Sequence, residues 1–124
     1  MIGTVLDGIK GILESNGFSI ITKGDISGNK QASKISLRGL TQLAVMGEAR
    51  MEADVEIFCF IPMKPTSRYV SAKSAAETLE TLINALWDIN NTGYAVKQDI
   101  TATNIEDDGR VFMAKIDLRV QYRG

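Results

Sequence analysis

The residues best suited to chemistry in this chain are acids. Glu48, Glu52, Asp54 and Glu56 fall on alternate positions of one stretch, and paired carboxylates are a common means of moving a proton or holding a hard cation. Their usual helpers are missing. The 124 residues include no histidine, which removes the ordinary neutral-pH proton carrier, the commonest metal ligand and every Ser–His or Cys–His nucleophile pair. Alternate acids on an exposed strand are ordinarily just solvated, so this spacing predicts a wet face before it predicts a catalytic pair.

Other motifs fail for stated reasons. Gly8 and Gly11, and Gly24 and Gly28, match neither the dinucleotide fingerprint nor the phosphate loop, because the spacing and the Lys-Ser/Thr ending are absent. They read as helix and turn glycines. Asp107 and Asp108 sit where a turn favours them, and no acidic loop has the spacing of a calcium site. Tyr69, Tyr94, Tyr122 and Trp87 are not interleaved with basic clusters, so no stacking platform for single strands is indicated. The residues therefore predict no catalytic group, no metal site and no cofactor.

Charge narrows the class further. Fourteen Lys and Arg against 15 Asp and Glu leave a formal charge of −1, so no basic field draws in nucleic acid or anionic lipid. Cys59 is the single cysteine; a disulfide within the chain is excluded, which fits a reducing cytoplasm. No basic, then apolar, then small-residue leader opens the sequence, and no stretch approaches membrane-spanning length. The expectation is a soluble protein, not exported by a signal peptide and without a membrane partner.

The elements that must position these residues follow from periodicity. Ile2, Val5, Leu6, Ile9, Ile12 and Leu13 recur at helical spacing, with Asp7, Lys10 and Glu14 opposite, and Asn16-Gly17 supplies a stop. A short β-prone run covers 18–21. Residues 23–34 are polar and read as a mobile loop or hairpin tip. A second strand is expected over 34–40. From Glu48 the alternation is strict, with Ala49, Met51, Ala53, Val55 and Ile57 turned inward and the acids outward. Phe58, Cys59, Phe60 and Ile61 break that rhythm, which predicts cover on both faces there.

Pro62 and Pro65 end the strand. A second helix follows, capped by Ser71 or by a Ser74–Glu77 box, with Ala72, Ala75, Ala76, Leu79, Leu82, Ile83, Leu86 and Trp87 on its interior side and a stop at Asn90, Asn91 and Gly93. Strands over 94–105 and 110–122 close the sequence as a hairpin about Asp107, Asp108 and Gly109, the last with Phe112, Ala114, Ile116, Leu118, Val120 and Tyr122 inward. At this length one domain, 1–124, is expected. Its class is α+β: a mainly antiparallel sheet with two helices on one face, in the order α-β-β-β-α-β-β.

This organisation resembles the small tail-terminator or tail-completion proteins of long-tailed bacteriophages and prophages, and the related head–tail connector proteins. The likeness rests on Val55, Glu56, Ile57, Phe58, Cys59 and Phe60, on the helix over 71–87 and on the ending over 107–122. It is architectural. It implies a homo-oligomeric ring, a hexamer in that group, that caps the finished tail tube and then meets the head. The implied partners are tail-tube and head-connector proteins, and the implied place is the virion tail or head–tail joint, assembled in the cytoplasm of the bacterial host. Catalysis plays no part.

On that reading the 23–34 segment is a candidate oligomer or partner arm, with Lys23, Asp25, Asn29, Lys30 and Lys34 as its polar contacts. Glu48, Glu52, Asp54 and Glu56 are a candidate acidic lumen face that would repel DNA and let it slide. Two other classes stay open: a small-ligand-binding or regulatory α+β module with a pocket between helices and sheet, and an enzyme working with carboxylates and lysines alone.

Overall fold

The computed structural model describes residues 2–21, 31–45, 47–63, 67–87, 97–107 and 111–123, with the backbone alone over 97–107 and at Val45, Glu48 and Arg68. Two helices, α1 (Ile2–Ser15) and α2 (Arg68–Leu86), accompany five strands: β1 (Ser19–Ile20), β2 (Ala32–Val45), β3 (Glu48–Pro62), β4 (Lys97–Asp107) and β5 (Val111–Arg123). The chain is α+β, in the order α-β-β-β-α-β-β.

Helix α1 forms as its periodicity demands. Val5, Ile9 and Leu13, four residues apart, are its buried stripe. It ends in a Schellman turn: the Gly17 N–H donates to the Glu14 carbonyl at 3.1 Å and the Phe18 N–H to the Leu13 carbonyl at 3.0 Å. Gly17 has a φ of +85°, a conformation that disfavours a side chain. Leu13 and Phe18 are both buried, the apolar contact that accompanies this motif.

The sheet runs β1-β2-β3-β5-β4. β2–β3, β3–β5 and β5–β4 are antiparallel, whereas β1 lies parallel to β2 through Ser19↔Ala32 and Ile20↔Ser33. The sheet is thus mixed. The parallel pair corrects the hairpin-tip reading of 23–34, because a hairpin joins antiparallel strands; residues 22–30 themselves lie outside the described residues.

β2 is also longer than the expected 34–40 strand. It starts at Ala32, so Lys34 stands in a strand and not in a loop, and it continues to Val45; Gly47, with a φ of +81°, immediately precedes β3. The register slips between Leu37 and Gly39, leaving Arg38 as a bulge.

One hydrophobic cluster unites Val5, Ile9, Leu13 and Phe18 with Ala75, Leu79, Leu82 and Leu86 of α2. It also holds the odd-numbered residues of β3 from Ala53 to Ile61 and the even-numbered ones of β5 from Phe112 to Tyr122. One buried cluster thus takes residues from both helices and from one face of the sheet. Along β5 the burial alternates residue by residue, as the sequence predicts.

Three local expectations are corrected. Trp87 is 56% exposed; Ala75, Leu79, Leu82 and Leu86 already fill the inward stripe, and Trp87 lies about 100° further round the helix. Ser71 does not cap α2, which begins at Arg68 after Ser67; the Ser71 N–H donates to the Ser67 carbonyl at 3.1 Å within the first turn. Ser74 lies inside the helix, where its carbonyl accepts from Thr78 Oγ1 at 3.0 Å. The expected signals at Pro65, at Asn90, Asn91 and Gly93, at Tyr94, and at Asp108 and Gly109 lie outside the described residues.

Candidate functional site

The sequence directs attention to the sheet face opposite the buried cluster. Even-numbered β3 residues share it with odd-numbered β5 residues, since Glu52 pairs with Gln121, Asp54 with Arg119 and Glu56 with Asp117. Of the four acids of the candidate lumen face, Glu52 and Asp54 are half-buried, Glu56 is buried and the Glu48 side chain lies outside the described residues.

Glu56 departs furthest from expectation. It is 5% exposed, so it is not part of a wet acidic surface. Directly opposite it stands Asp117, a like charge, which is unfavourable across a strand pair. Two cations offset that repulsion: Arg38 Nη1 donates to Glu56 Oε2 at 2.6 Å and Lys115 Nζ lies 3.2 Å from the same oxygen. Lys115 also stands 3.8 Å from Asp117 Oδ1. Ser36 pairs with Glu56, so Arg38, two residues further along β2, falls beside that carboxylate.

Glu52 is likewise engaged, its Oε2 accepting from Gln121 Nε2 at 3.1 Å. With Arg119 exposed beside Asp54 in the register, this face alternates charge and does not present a continuous acidic lining. The acids sit in a mixed network whose members come from β2, β3 and β5.

At the other end of the same face the character changes. Phe58, Phe60 and Pro62 of β3 and Val111 and Met113 of β5 are all half-buried. Cover on both sides was expected here; Cys59 and Ile61 are indeed covered by the core, but Phe58 and Phe60 turn to the face opposite the buried cluster.

The candidate arm is mostly beyond reach: Lys23, Asp25, Asn29 and Lys30 lie outside the described residues. Lys34 is exposed on β2, opposite Phe58. Nothing brings it to the acids.

Two further features escaped the sequence reading. A groove of about 230 Å³ opens between the end of β3 and the start of α2, lined by Ile61, Pro62, Met63, Val70, Ser71, Ser74 and Ala75. It is smaller than the pockets that usually hold a small molecule. Beside it in importance is the edge of the sheet. β1 covers only Ala32 and Ser33 of β2, so past that point β2 has no second neighbour among the described residues. Leu37 and Leu40 on this open edge are 45% and 46% exposed although they pair with the buried Val55 and Ala53. Leu37, Leu40 and Leu43 fall three apart and not two, so the sequence carries no strand alternation to signal this extension.

Cys59 has no reactive character. It is fully enclosed, and burial pushes its thiol up to about 12 from an ordinary 9.0. Among the described residues no three of Cys, Asp and Glu gather as metal ligands, and no helix is long and apolar enough to cross a membrane. No protein-family model matches this sequence, and no curated protein matches it either.

Proposed function

We propose that the chain is a structural virion protein of a long-tailed phage or prophage. It works as a homo-oligomeric ring that caps the tail tube, joins tail to head, or does both. The sequence resemblance supplies the setting. One observation supports the mode of action: a two-helix α+β sheet whose edge strand β2 stays open past Ser33 among the described residues, with Leu37 and Leu40 part-exposed along it. Long open edges promote association unless they are covered, and ring-forming subunits cover them with one another.

The chemistry on the opposite face fits a passive role. Glu56 is paired with Arg38 and Lys115 and Glu52 accepts from Gln121, so these two acids serve the fold and its surface complementarity. The reading makes no use of bond-making groups. The ligand-binding alternative has only the small groove by α2 in its favour.

The decisive experiment is genetic. Removing the gene from a particle-producing genome is expected to yield heads and tails that fail to join, with tails of uncontrolled length. Joined particles of normal length and infectivity would end the proposal.

A further inference from the structure

We propose that β2 of one copy takes β4 of the next copy as its missing neighbour, antiparallel, so that the sheet runs on from subunit to subunit. The inference rests on the self-assembly reading above and names the surfaces that carry it.

Strand polarity is the first argument. Across β2, β3, β5 and β4 each neighbouring pair is antiparallel, so β2 and β4, at opposite edges, run in opposite directions. A copy added by rotation about an axis along the strands therefore offers its β4 antiparallel to β2. This contact is head-to-tail, and every subunit keeps one edge of each kind for the next.

Length and irregularity are the second. β2 is regular from Gly39 to Val45 beyond its bulge at Arg38, and β4 is regular from Lys97 to Thr103 before its own irregularity between Thr103 and Glu106. Laid antiparallel, the two regular runs match end to end and the two irregularities fall together.

Charge is the third. β2 carries Lys34 and Arg38 and no acid, both near its start; β4 carries Glu106 and Asp107 at its end, with Lys97 and Asp99 at its beginning. Antiparallel addition sets the basic start of β2 alongside the acidic end of β4. An antiparallel β2–β2 pairing on the same regular run would set the cations of the two copies at opposite ends and bring no acid to them. Partial burial of Leu37 and Leu40 follows from either arrangement, so charge complementarity decides between them.

The test uses two singly substituted full-length chains, Thr41→Cys on β2 and Thr101→Cys on β4, mixed and treated with a short bismaleimide, while sedimentation of the wild-type chain records its size. Wild type serves as the control, since Cys59 is enclosed. A mixed cross-link in an oligomer, absent from either variant alone, is the expected result. Self-cross-linking of Thr41→Cys overturns the proposal in favour of a twofold β2 contact. An oligomer without the mixed cross-link overturns it and leaves self-assembly standing; a monomer at every concentration overturns both. Charge exchange adds a readout independent of the cysteines: Lys34→Glu alone and Glu106→Lys alone are expected to lose the oligomer, and the double variant to regain it. Failure of the double variant to recover, with both single variants folded, counts against the pairing.

Discussion

Arg38 Nη1 and Glu56 Oε2 meet at 2.6 Å across the β2–β3 pair, a solvent-facing guanidinium holding a buried carboxylate. The arrangement is asymmetric, because Arg38 keeps most of its side chain in water and Glu56 keeps almost none. Loss of the cation therefore leaves the more costly partner behind. Arg38→Ala is expected to destabilise the fold by about 1–3 kcal/mol, and Arg38→Ala with Lys115→Ala by more than the two separate effects, since Glu56 then has neither cation. Urea unfolding of the four proteins in that cycle measures this; strict additivity would show that the two cations act independently.

Gly17 offers a cleaner backbone test. Its φ of +85° and the Schellman bonds around it leave an L side chain strained, and an added Cβ would lie 3.4 Å from Gln31 Nε2. Gly17→Ala is expected to lower stability by about 1 kcal/mol, and Gly17→Asn by less, because asparagine tolerates the left-handed region. Thermal melts with equal losses for both would contradict the strain account.

Ser33 runs the other way. Its hydroxyl is buried with no hydrogen-bond partner among the described residues, on β2 opposite Cys59. A desolvated hydroxyl without a partner is unfavourable, so Ser33→Ala is expected to be neutral or to stabilise by up to ~1 kcal/mol. A clear loss in denaturant midpoint would reveal a bond made by that oxygen.

Alkaline stability should report on Cys59. The thiol ionises near 9.0 when free and near 12 in the fold. At pH above 9 the unfolded chain releases a proton that the folded chain keeps, so the thiol's contribution is intact below that point. Stability then falls by up to ~1.4 kcal/mol per pH unit until about 12. Cys59→Ala should flatten that part of the profile. Native protein should also resist thiol reagents at pH 8 until it unfolds; rapid labelling without unfolding would refute the enclosure.

How much of this was legible in the sequence depends on whether a residue's fate is local. Helix α1 and strand β5 each bury one side only, so Val5, Ile9 and Leu13, and Phe112 through Tyr122, announce themselves by period alone. Trp87 misleads because it follows Ile83 at helical spacing, yet that row lies at the margin of the buried stripe: Ile83 is only partly buried and Trp87 is exposed. The parallel setting of β1 leaves no local mark, since a crossover and a hairpin tip are both polar segments. Glu56 was legible as an outward acid, whereas its burial comes from Arg38 and Lys115, which only the pairing of three strands brings to one oxygen. β2 runs past its expected end because Thr41, Gln42, Leu43 and Ala44 show no alternation, and only their pairing with β3 holds them in a strand.

The pairing of β3 with β5 divides the labour of folding. Each side of that seam owns a helix and a hairpin, α1 with β2–β3 and α2 with β4–β5, and the innermost pairs of each hairpin span few residues. Every rung between β3 and β5 instead encloses a loop of roughly fifty to seventy residues, whose closure entropy must be met before the core can form. The hairpins can zip quickly on their own; the seam between them sets the pace at which a newly made chain stops exposing its interior.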